Sequence, residues 1–143
     1  MAEFTEVLGQ AKFIQDLSDQ ATAQEPPSTT SDGVAIPDGR GNVLKTQVAV
    51  YSAADSGTRS HHVRVFGLIE DAETAAGAAV TVDKWFMLED LTEKTDTDVR
   101  QTAGDFGVCY QINVGRVFNR VATKLAALPG GTNPVVDTFI GFS

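Results

Sequence analysis

Cysteine is nearly absent from the chain: Cys109 stands alone, which excludes an intrachain disulfide and any metal site built on several thiolates. Such a lone residue is expected to serve as a small apolar side chain in the core. No run of about 18 apolar residues is present to span a bilayer, and the first residues lack the basic-then-apolar layout of a signal peptide. The expectation is a soluble chain made inside the cell and having no membrane partner. Histidine is scarce too, with only His61 and His62. Neighbours on a strand point to opposite faces, so these two do not share one metal ion or one substrate. No serine lies in a nucleophile elbow and no glycine-rich phosphate loop precedes a helix. Asp96, Asp98 and Asp105 do not follow the spacing of a calcium loop and read as a solvated acidic loop. An enzyme is not expected, and no cofactor is implied.

What is present is enough for one core. With 143 residues, 42% of them hydrophobic, a single domain spanning 1–143 is expected. The net charge of −8 is unevenly spread. Residues 1–32 carry six acids against Lys12, and residues 71–110 carry nine against Lys84, Lys94 and Arg100. Between them, residues 33–70 hold Arg40, Lys45, Arg59 and Arg64 against three acids, and residues 111–143 hold Arg116, Arg120 and Lys124 against Asp137. Overall acidity argues against nonspecific nucleic-acid binding, whose affinity comes from summed phosphate neutralisation, but it leaves room for a local basic face.

The pattern along the chain divides into elements. Residues 4–17 fit a hairpin turning near Gly9, although a short amphipathic helix over 11–20 fits about as well. Residues 20–33, with Pro26-Pro27 and a closing Asp-Gly, form a connector. The runs 43–53 and 60–70 alternate with period two, sending Val48, Val50, Val63 and Val65 to one face and Gln47, Ala49, Tyr51, His62, Arg64 and Phe66 to the other. Residues 71–79 make a small-residue loop, and 80–92 a third long strand. Over 93–110 glycines, threonines and acids interrupt both periods, leaving that stretch unassigned. Val114, Val117, Phe118, Val121, Leu125 and Leu128 recur at three- and four-residue steps, predicting a helix capped by Asn113 and ended by Pro129-Gly130-Gly131. Residues 133–142 offer a second short helix with Pro134 in its first turn. The fold class expected is α+β: an N-terminal hairpin, an antiparallel meander of about five strands, and two C-terminal helices over the sheet.

This ordered series resembles the coat proteins of single-stranded RNA bacteriophages. The residues that carry the likeness are "SDGVAIP" (31–37), where the family has Asn-Gly-Val-Ala, the alternating pair that follows with an Arg in its turn, and the Gly-containing loop 71–79. The Trp85 strand ending in "DLT" and the closing helix, Asn-Pro and short helix complete the series, over most of 27–92 and 113–143. The resemblance implies an obligate homodimer whose sheets join edge to edge, with helices packed over the partner. It further implies assembly in the host bacterial cytoplasm into an icosahedral virion shell enclosing single-stranded viral RNA. Carried over position by position, it places Val34, Lys45, Gln47, Tyr51, Arg59, His62 and Arg64 at an RNA hairpin on the inner sheet face. Another self-assembling virion protein, a capsid decoration or tail component without RNA binding, is the alternative.

Overall fold

A computed structural model describes residues 12–24, 26–27, 32–37, 43–70, 72–80, 84–100, 102–115 and 117–143. Thirteen strands are found among them: β1 (Phe13–Gln20), β2 (Val34–Ala35), β3 (Val43–Ala53), β4 (Ser56–His61), β5 (Val63–Ile69), β6 (Ala72–Glu73), β7 (Ala79–Val80), β8 (Lys84–Asp90), β9 (Lys94–Thr95), β10 (Phe106–Gly115), β11 (Arg120–Leu125), β12 (Gly130–Thr132) and β13 (Val135–Phe142). The one helix, α1 (Asp96–Val99), is a single turn held by a capping box between Thr95 and Asp98.

The chain pairs with itself as if folded in half about the small β6–β7 hairpin. Going outward from that tip, β5 pairs with β8, β3 with β10, β2 with β11 and β1 with β13, all antiparallel. Successive pairs then fall into alternate sheets. Sheet 1 has the order β1-β13-β3-β10, and sheet 2 the order β2-β11-β5-β8. This nested, alternating order is that of an eight-stranded jelly roll, two sheets stacked about 10 Å apart around one core. A third small sheet, β12-β4-β9, closes one end.

The core lies where the inner faces meet: Val48, Val50, Val114, Val136 and Ile140 from sheet 1 against Val63, Val65, Val121 and Leu125 from sheet 2. Burying side chains of this kind contributes roughly 1.5–3 kcal/mol each. The four valines expected on one face are therefore buried together, but not as a ribbon. The strands β3 and β5 belong to opposite sheets, so their polar sides point away from each other.

The α+β expectation is overturned. Neither C-terminal helix exists: residues 114–128 comprise the end of β10, a turn and β11, and residues 135–142 are β13. A step of four residues satisfies both the helical period and the strand period, so Val121 and Leu125 fit either. Thr123 between them decides the matter, because it is fully buried on the same inward face, as only a strand allows. In β13 the alternation was complete, with Val136, Thr138, Ile140 and Phe142 all buried. At the N-terminus, residues 13–20 form an edge strand rather than a helix, and the other arm of the expected hairpin lies outside the described residues.

A polar network crosses the core near β1. The Asp16 carboxylate accepts from the Thr123 amide at 2.6 Å and hydroxyl at 2.5 Å; the Thr123 and Thr138 hydroxyls are 2.6 Å apart, and Thr138 Oγ1 accepts from the Leu17 amide at 3.0 Å. Burial pushes the Asp16 carboxyl above its ordinary range, opposed by the Thr123 hydrogen bonds.

Candidate functional site

The outer face of sheet 1 collects side chains that chain order keeps far apart. Alternate residues of β3 face outward, and register places Gly141, Gln47 and Gln111 in one row beside Phe13, and Phe139, Ala49 and Cys109 in the next beside Gln15. Asp137, Tyr51 and Gly107 form a third. Small residues make the floor and aromatic residues the walls. A methyl group on Gly107 would sit 3.3 Å from Tyr51 Cδ2, and one on Gly141 would sit 3.3 Å from Phe13 Cδ1. Each ring thus lies against a glycine of the adjacent strand, and its remaining surface is open, with Tyr51 45% and Phe13 46% exposed. Two shallow cavities result, about 300 Å³ beside Tyr51 and Phe139 and about 250 Å³ beside Phe13 and Gln47.

Sheet 2 presents a different surface. Arg64 and Asp90 are register partners, and the Asp90 carboxylate accepts from His62 Nε2 at 2.5 Å and Arg64 Nε at 3.3 Å. These hydrogen bonds hold the Asp90 carboxyl below its ordinary value. Lys124, across from Arg64 on β11, reaches Asp32 at 4.0 Å, and the Arg120 guanidinium donates to the Asp32 and Gly33 carbonyls.

Of the seven residues expected at an RNA hairpin, Lys45, Gln47 and Tyr51 share the outer face of sheet 1. His62 and Arg64 lie on the other side of the molecule, joined through Asp90. Arg59 is a structural clamp: its guanidinium donates to Asp105 at 3.0 Å and to the Gly57 and Ala54 carbonyls, tying the β3–β4 turn to the start of β10. Val34 is a core residue, 6% exposed. The preceding Gly33 adopts φ +75°, a conformation that favours glycine, and a side chain there would run into the Val121 backbone. Two smaller expectations also change. Cys109 is exposed on the sheet 1 face, and Asp96 is not solvated but fully buried, its Oδ2 accepting from the Arg59 amide at 3.0 Å.

The edge strands β8 and β10 flank a groove of about 500 Å³ lined by Leu91, Lys94, Val108, Tyr110 and Ile112 among others. At its base Tyr110 Oη is 3.0 Å from His61 Nε2, and His61 Nδ1 is 2.7 Å from Ser52 Oγ. The His61 ring stacks on Phe106 and is 1% exposed. Burial, with smaller contributions from His62 and Lys94, lowers its pKa to about 4. This is a neutral core histidine with both nitrogens engaged. Among the described residues no group of three or more His, Cys, Asp or Glu side chains is placed to hold a metal ion.

Sequence reasoning missed Phe13, Gln111 and Phe139 as members of the sheet 1 face. The alternation of "FGVCYQINV" in 106–114 was the available signal for one of the strands that carry them. No family model, curated protein or solved structure matches this chain.

Proposed function

We propose that the chain is a structural subunit that acts by associating with copies of itself to build a protein shell of the virion kind, and that the first contact is edge to edge through β10. The observation that carries this reading is the bareness of that edge. Proteins protect exposed sheet edges with charge, proline, bulges or very short strands, because unpaired N–H and C=O groups template association. Three of the four edges of this sandwich are protected in those ways: β1 carries Asp16, Asp19 and two register shifts, β2 has two residues, and β8 carries Lys84, Glu89, Asp90 and a register shift. β10 has ten residues, "FGVCYQINVG", without charge, proline or bulge, and among the described residues it pairs with β3 alone.

Pairing of β10 with β10 of a second copy about a two-fold axis is self-complementary. It would join two four-stranded sheets into one and set the half-buried Val108, Tyr110 and Ile112 of each copy beside those of the other, closing the groove. The jelly roll itself is used in viral shells as well as in lectins and other proteins, so the architecture is compatible with this role by analogy only. An RNA-binding face is left out of the proposal, since the expected cations are divided between two sides and mostly engaged by acids.

Sedimentation velocity and negative-stain microscopy test the reading. Dimers or closed particles are expected for the wild type at micromolar concentration. The double variant Cys109→Glu, Gln111→Glu, at two exposed positions, sets like charges against each other across the seam and should give monomer. A monomeric wild type overturns the proposal, and so does unchanged association of the double variant.

A further inference from the structure

We infer that the outer face of sheet 1 is a binding site for a neutral oligosaccharide. The inference concerns a single copy and does not rest on self-association.

The two rings are arranged as platforms. A tyrosine or phenylalanine on a sheet more commonly stands among its neighbours; here Tyr51 and Phe13 lie against Gly107 and Gly141, which supply the flat seats a side chain would remove. What each ring offers to solvent is an apolar surface suited to the C–H face of a pyranose. Along the strands the rings are separated by the four-residue step from Gln47 to Tyr51, and across them by two strand spacings. With a rise of 3.3–3.4 Å and a spacing of 4.7–4.9 Å, that is roughly 16 Å, a separation suited to an oligomer rather than one sugar ring. Phe139 and Ala49 occupy the diagonal between them.

The polar groups agree with the rings. Gln15 and Gln47 are exposed beside this diagonal and Gln111 and Asn113 further out on β10, and each primary amide has both donors and an acceptor to match a hydroxyl pair. Two lysines border these rows, Lys12 at the cavity beside Phe13 and Gln47 and Lys45 two residues before Gln47 on β3, and the Asp137 carboxylate is already engaged by the Asp19 amide at 2.7 Å. In a chain with net charge −8, a face this poor in charge fits a neutral polyhydroxylated ligand. Stacking platforms also serve single-stranded nucleic acid, but there they come with a cationic groove that tracks the backbone, whereas here the cations are two lysines, both at the Phe13–Gln47 end.

The test uses the full chain with hexamers of neutral sugars (cello-, xylo-, manno-, malto- and chito-oligosaccharides), the matching monosaccharides, and a single-stranded oligonucleotide. Binding is followed by amide and aromatic chemical-shift changes. At least one hexamer should bind, shifting resonances of Tyr51, Gln47 and Phe13, with much weaker response to its monosaccharide. Tyr51→Ala and Phe13→Ala, both at exposed positions that leave the core intact, should each weaken binding about tenfold, the worth of one stacked ring. Failure of every hexamer overturns the inference. So does hexamer binding that neither variant weakens, or a response confined to the oligonucleotide.

Discussion

His61 should make the protein acid-labile well above the range in which its carboxylates titrate. The ring is 1% exposed, stacked on Phe106 and bonded at both nitrogens, so protonating it would bury a cation and oblige the hydroxyl that donates to the ring to turn and accept instead. Its pKa falls from the ordinary 6.5 to about 4. Between those values the unfolded chain binds a proton that the native state refuses, so stability rises with pH across the window. The contribution is complete above about 6.5 and is lost as pH falls from there to about 4. At 1.36 kcal/mol per pH unit, the shift corresponds to about 3 kcal/mol, a large fraction of the stability of a domain this size. Asp16, whose carboxyl is raised, acts in the opposite direction near the acid end. It lies elsewhere in the sandwich, so it cancels in a comparison with His61→Gln. Urea midpoints measured across the window should fall steeply with acid for the wild type and much less for the variant, at constant m. NMR titration of the native imidazole supplies a second reading. Equal slopes in the two proteins, or a native His61 that titrates near 6.5, would refute the reasoning.

Two substitutions probe how the sheets are joined. Thr138→Val removes a fully buried hydroxyl and leaves the Leu17 amide without its acceptor, and should cost about 1–3 kcal/mol in chemical unfolding; no change in midpoint would show that the network across β1, β11 and β13 contributes nothing net. Gly67→Ala would set a methyl group 2.6 Å from Phe118 Cδ1 and 3.0 Å from Leu88 Cδ1, and overpacking of that kind should lower stability by about 1–3 kcal/mol, so an unaltered melting temperature would mean the ring has room to move.

Legibility of the fold varied with how many explanations each pattern allowed. The runs at 43–53 and 60–70 alternate over enough residues to be read as strands, and their inward valines were identifiable, although the second run joins the end of β4 to β5 across His62. Which strands they pair with was not, because partners such as Phe106–Gly115 for β3 lie more than fifty residues away and register leaves no local trace. Residues 114–128 show the opposite difficulty. Their steps of three and four arise from two strand segments and the residues around them: Val117, between β10 and β11, and Leu128, beyond β11, are each 70% exposed. The face of sheet 1 was half visible, since Lys45, Gln47 and Tyr51 share one strand and one parity. Arg64 and His62 were grouped with them on the assumption that adjacent runs form one ribbon. The crossing of β4 into a third sheet breaks that assumption, and no composition signal in "SGTRSH" announces it.

Charge placement connects the proposed seam with the proposed binding face. Copies carrying a net charge of −8 repel one another at long range, so they can approach closely only where charge is sparse. Pairing charges locally does not create such a place: Arg59 with Asp105, His62 and Arg64 with Asp90, and Lys124 with Asp32 leave surfaces that still carry acids in water. The bare strand β10 is where charge is sparse by composition, and its outward residues Cys109, Gln111 and Asn113 continue directly into the amide and aromatic rows of sheet 1. A two-fold axis perpendicular to the joined sheet leaves both copies of that face on the same side, so edge pairing would extend the face rather than cover it. It also sets the sign of the salt effect. A seam held by ion pairs weakens as salt is added, whereas one held by backbone hydrogen bonds and apolar contact between like-charged bodies tightens, because salt screens only the repulsion.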